Sequence, residues 1–214
     1  MESLHRPRKN TVHPDARAAI LRAAERIFAE KGLEGARTDA IARSAGVNKA
    51  LLYYYFRSKN ALFQAVVENV LEESHRRLMA ILSSEGAASG VLLRYVEALF
   101  DVLSRRPEYV PLIHRLILTE PKLVERLMRG YFVPRSRKLA AVIRRGVRDG
   151  EFRRVDSVQM AISIGALAVL YFSWGPVMKS FAPFDPFDTK HVSRRRREVV
   201  EFVRYGLFKH PEAR

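Results

Sequence analysis

The 214-residue chain is 48% hydrophobic and contains no cysteine, which excludes a disulfide framework and a thiolate metal site while leaving ample material for a buried core. Its 38 lysines and arginines against 23 acidic residues give a net charge of +15. That balance suits a polyanionic partner, nucleic acid first and an anionic membrane second. The opening from Met1 to Lys9 has no apolar segment after its charges, and the most apolar run, Ala161 to Trp174, is too short to span a bilayer; a cytoplasmic protein is expected.

Residues 1–13, with Arg6, Arg8 and Lys9, read as a basic flexible arm that either reaches a minor groove or has no role. From Pro14 the apolar residues Ala16, Ile20, Ala24, Ile27 and Phe28 recur on one helical face. Pro14 suits the first turn and Gly32 the position just past the last, so a helix is predicted over 14–32. A short helix over 38–45 follows, with the Thr38 hydroxyl as its cap, and after Gly46 a second runs to Phe56 with Asn48 as its cap. Ser58 caps a fourth helix over 59–84, whose Leu62, Val66, Val70 and Leu78 form an inner stripe.

Residues 86–90, Gly-Ala-Ala-Ser-Gly, read as a flexible joint, beyond which the pattern stays helical. Prolines 107, 111, 121 and 134 punctuate the stretch from Val91 to Arg148, and Asp149-Gly150-Glu151 is a turn. An apolar helix is predicted over 156–174 and a last one over 194–208; the proline- and phenylalanine-rich segment 181–188 between them is not helical. No alternating strand pattern of useful length occurs, so the fold class is all-α.

Two short helices around a tight glycine turn have the composition of a helix-turn-helix, whose second helix enters the DNA major groove. The sequence Lys49-Ala50-Leu51-Leu52-Tyr53-Tyr54-Tyr55-Phe56 sharpens this. Successive helical residues are about 100° apart, so four aromatics in a row cannot share one core. Leu52 and Phe56 point inward together; Lys49, Ala50, Tyr53 and Tyr54 are thereby turned outward. A tyrosine can donate its hydroxyl to a phosphate and rest its ring edge on a thymine methyl. The competing reading packs Tyr53 to Tyr55 on neighbouring helices and leaves Lys49 and Lys59 as solvated charges.

The segment from Thr38 to Leu62 resembles the DNA-binding signature of the TetR family of transcriptional regulators, and the helix before it is similar to that family's first helix. The resemblance is close over residues 14–65. It implies a helix-turn-helix domain over 14–60 and a helical ligand-binding and dimerisation domain over 61–214. It also implies a homodimer bound to a palindromic operator of double-stranded DNA, usually as a repressor, released by a small apolar or amphipathic effector. Lys49 and Ala50 fall at the groove-facing start of the recognition helix, Tyr53, Tyr54 and Tyr55 at phosphate and base contacts, and Lys59 at a phosphate contact. Asn48 stands where serine is commoner and can cap or touch DNA; Arg37 occupies a place often held by a hydroxyl, so either Arg37 or Thr38 meets phosphate.

Phe100, Tyr109, His114, Phe132, Met160, Tyr171 and Trp174 are candidates for an apolar ligand cavity, or simply core. Ile162, Ala166 and Val169, with Val199, Phe202 and Val203, resemble the family's four-helix dimer interface; an intrachain contact between the same two helices is the other reading, and both can hold. The six histidines show no metal-ligand spacing, and no nucleophile elbow or phosphate-binding glycine loop is present, so neither cofactor, metal nor enzymatic activity is expected. The rival reading from charge is a basic helical protein that coats nucleic acid without sequence preference.

Overall fold

Gly32 interrupts the first helix without ending it. In the computed structural model, which describes residues 14–107, 110, 113, 116 and 120–209, α1 spans Pro14–Gly35 with a break at Gly32 (φ 65°, ψ −179°). This left-handed backbone suits glycine, and one further helical turn follows it. α2 is Thr38–Ser44, α3 Lys49–Phe56 and α4 Lys59–Leu82. The chain divides after Asn69 into two compact units. The basic arm of residues 1–13 lies outside the described residues.

In the first unit, Ile20, Ala24 and Phe28 of α1, Ile41 of α2, Leu52 of α3 and Leu62, Phe63, Val66 and Val67 of α4 are all buried. The Phe28 and Phe63 rings meet edge to face, 5.2 Å apart, an arrangement that favours the ring quadrupoles. The helical spacing predicted from sequence thus delivers one apolar face from each helix into a shared core.

The second unit contains α5 (Ala88–Arg105), α6 (Pro121–Leu127), a π-helical turn (Met128–Phe132), α7 (Val133–Arg148), α8 (Ser157–Phe181) and α9 (Thr189–Leu207). Its core gathers Phe100, Ile143, Phe152, Ile164, Ala168, Phe172, Val199 and Leu207. No strand occurs among the described residues beyond an isolated bridge between Phe152 and Phe208. Phe152 closes against Gly146, where a Cβ would lie 2.3 Å from the ring.

Three further element boundaries differ from expectation, two of them for a tertiary cause and one for a local cap. The glycine-rich joint becomes helical from Ala88 because the Glu151 carboxylate accepts from the Ala88 and Ser89 N–H groups at 2.9 and 2.8 Å, satisfying donors that a helix start leaves open. α8 runs to Phe181, through Pro176, instead of stopping at Trp174. Gly175 leaves room for the Phe187 ring, which stacks on Phe172 at 6.3 Å and holds that turn in place. α8 is therefore 25 residues, long and apolar enough by length and composition to cross a membrane, contrary to the shorter span predicted. Its inner stripe, Ala161, Ile164, Ala168 and Phe172, is buried in the helical core. α9 starts at Thr189 rather than 194 because Asp188 caps it, accepting from Lys190 N at 2.8 Å.

Candidate nucleic-acid interface

The turn between α2 and α3 is built by backbone bonds. Ala45 N donates to Ile41 O, Gly46 N to Arg43 O and Val47 N to Ala42 O, at 2.9, 3.1 and 3.0 Å. Gly46 supplies the positive φ of 68° that reverses the chain. Asn48 then caps α3, its Oδ1 accepting from Leu51 N at 2.7 Å. With the cap so engaged, the orientation of α3 follows from its burial: Leu52 is fully buried and Phe56 nearly so, while Tyr53 is 38% and Tyr54 67% exposed. Lys49 and Ala50 are exposed with them. Tyr55 is half-buried and meets the Tyr54 ring edge to face at 5.4 Å.

Thr38 does not cap α2. It is the first helical residue, the cap position is Arg37, and Arg37 makes no side-chain capping bond. The Thr38 hydroxyl instead shares a 3.3 Å hydrogen bond with the Tyr53 hydroxyl, and Arg37 stays exposed. Lys49 Nζ lies 2.9 Å from Asp39 Oδ1. The Lys49 ammonium holds the Asp39 carboxyl below its ordinary range, and Asp39 raises Lys49 in turn, through their hydrogen bond and charge attraction. Lys59, first residue of α4, reaches the Glu34 carbonyl at 3.5 Å, and Ser58 caps α4 by accepting from Ala61 N at 3.0 Å. Arg26 of α1 donates to Ser44 of α2, and the Arg17 guanidinium sits 5.4 Å from the Phe56 ring centre. These bonds hold the outward residues of α3 on a rigid scaffold.

Asp39 was missed by the sequence reading. The available signal was a lone acid between Arg37 and Lys59, in a stretch otherwise basic or neutral.

Among the described residues, those named for a ligand pocket do not line one cavity. Phe100 is wholly buried core, tilted against Phe172. Phe132 lies under the Arg135 guanidinium at 4.7 Å. The Tyr171 hydroxyl donates to Pro186 O at 2.6 Å, and Trp174 is exposed. Met160 lines an open apolar groove of 510 Å³ between α8 and α9, with Ile164, Leu167, Leu170, Phe202 and Val203. Tyr109 and His114 lie outside the described residues. Of the dimer candidates, Ile162, Ala166 and Phe202 are exposed and Val169 is half-buried. Val199 and Val203 are buried in the chain's own core, because the face of α9 that carries them turns toward α5 and α8.

Residues 20–66 match the family described as bacterial regulatory proteins, tetR family, and residues 89–203 match the tetracyclin repressor-like C-terminal domain. The chain belongs to the tetR family. It is 30% identical over 164 residues to the HTH-type transcriptional regulator TtgR of Pseudomonas putida, covering 71% of this chain and 76% of that one. It is 27% identical over 181 residues to the HTH-type transcriptional repressor NicS of Pseudomonas putida, covering 79% and 81%. Among solved structures, a TetR/AcrR-family regulator from Thermobifida fusca superposes with a TM-score of 0.71 at 25% identity, over 87% of this chain and 97% of that one. A putative regulator from Saccharomonospora viridis in complex with choline shares the fold at a TM-score of 0.73 and 20% identity, over 92% and 100%. This tetR-family chain is a DNA-binding regulator of transcription, and its helix-turn-helix is α2–α3.

Proposed function

We propose that the protein is a homodimeric repressor that binds a palindromic operator and leaves it when a small apolar or amphipathic effector binds its C-terminal unit. The observation that carries this reading is the outward row of α3: Lys49, Ala50, Tyr53 and Tyr54 face solvent on a helix whose other side is anchored by Leu52 and Phe56. Such a row, presenting hydroxyls, a cation and a small residue for close approach, suits a major groove. Dimerisation through α8 and α9 is supported by Ile162, Leu170, Trp174, Phe202 and Tyr205, large apolar side chains left in solvent by a single chain. Two recognition helices would then sit about 34–36 Å apart or a multiple of it.

Release by an effector needs a molecule that binds the DNA-incompetent state more tightly than the competent one. We read the protein as non-catalytic and as working in the bacterial cytoplasm, where its DNA is. The test is selection of bound sequences from a random duplex library at about 150 mM ionic strength. Enrichment of a palindrome is the expected result. Binding without enrichment would instead support the charge-driven coating protein, and absence of binding would remove both readings.

A further inference from the structure

Asp39 stands on the surface that the recognition helix presents, close to the exposed cations Arg37, Arg43 and Lys49. A carboxylate there opposes an approaching phosphate, so its presence calls for a compensating role. Its geometry supplies one. Asp39 lies in the first turn of α2, where the helix dipole favours an anion, whereas Lys49 is the first residue of α3, where the dipole disfavours a cation. The 2.9 Å pair relieves Lys49 and fixes its ammonium at the start of α3, next to the small exposed Ala50.

Pairing with Asp39 leaves Lys49 further N–H donors, enough for the O6 and N7 acceptors of a guanine. Asp39 keeps acceptor capacity for the N4 donor of the paired cytosine. Both side chains remain about half exposed, so the ion pair is open to such partners. We propose that Asp39 is a specificity-determining residue, holding Lys49 to the base edges and away from the phosphates so that the two together read a G·C pair. The inference rests on the operator-binding reading above and assigns one position within it.

The test measures the affinity of the full chain for its selected operator and for a random duplex, as a function of salt. Asp39→Asn frees Lys49 for phosphate: random-duplex affinity should rise about fivefold and the log–log salt slope should steepen by about 0.9. The preference for operator over random DNA should narrow by about tenfold, the worth of a base pair's readout. Asp39→Ala must agree, and thermal melts must show both variants folded. In a Lys49→Ala background, Asp39→Asn should leave the random-duplex salt slope unchanged, because the lysine it would release is gone. An unchanged slope in the single variant would overturn the proposal, and a slope change that persists without Lys49 would overturn it too and make Asp39 a simple repulsive charge. If the wild-type chain enriches no sequence, the operator reading and the base-reading role fall together. The random-duplex slope needs no operator and still decides whether Asp39 restrains Lys49.

Discussion

The Thr38 and Tyr53 hydroxyls lie 3.3 Å apart, joining the first turn of α2 to the middle of α3. The bond orients the Tyr53 hydroxyl on the outward side of α3, the side that the operator-binding proposal turns toward DNA. Tyr53→Phe keeps the ring and removes that hydroxyl. Operator affinity should fall by roughly three- to tenfold, the worth of one hydrogen bond, while stability stays within about 0.5 kcal/mol of wild type. Fluorescence anisotropy and a thermal melt on the same samples separate the two effects; an equal loss of stability and affinity would make the bond structural only.

Lys59 begins α4 and approaches the carbonyl of Glu34 at the end of α1. A cation so placed fits a phosphate contact, and Lys59→Ala should flatten the dependence of log affinity on log salt by about one unit, equally for operator and random DNA. An unchanged slope would assign Lys59 to the solvated surface.

Glu151 links the turn after α7 to the start of α5. Burial pushes its carboxyl up, but hydrogen bonds from the Ser89 hydroxyl and N–H and from Ala88 N–H, with the Arg145 charge, outweigh it and hold the group below its ordinary 4.5. A depressed carboxylate contributes stability that is complete above pH 4.5 and is lost as pH falls through the lower folded value. Glu151→Gln should cost about 1–2 kcal/mol at neutral pH. The gap to wild type should close below pH 4.5; denaturant melts at pH 7 and pH 3 check the sign, and a gap that widens in acid would contradict the assignment.

Phe202 is 66% exposed on α9, where it lines the groove between α8 and α9, and Ile162 is 55% exposed on α8. If this face joins two copies, Phe202→Glu should weaken the dimer by about 2 kcal/mol or more and lower operator affinity with it. Sedimentation velocity across a concentration series would show monomer. A variant that still sediments as a dimer would place the interface elsewhere.

The local periodicity of the chain determined a good deal. A helix turns by about 100° per residue whatever surrounds it, so Leu52 and Phe56 inward with Lys49, Tyr53 and Tyr54 outward followed from their order alone. The same holds for the all-α class, the turn at Gly46 and the Asn48 and Ser58 caps, since each is an interaction between residues a few positions apart. Tertiary structure decided what involves residues distant in sequence. Nothing in the order of residues pairs Asp39 with Lys49 or Thr38 with Tyr53, and a hydroxyl one residue from a cap looks like the cap. The sequence offered Val199, Phe202 and Val203 of α9 as helix-contact residues but could not choose between a partner in the same chain and one in another; packing against α5 and α8 took Val199 and Val203 inside and left Phe202 out. The extension of α8 past Pro176 depends on Phe187 fitting over Gly175, and the early start of α5 on a carboxylate at position 151. Such boundaries are fixed by side chains that arrive from elsewhere in the fold, and local propensity does not contain them.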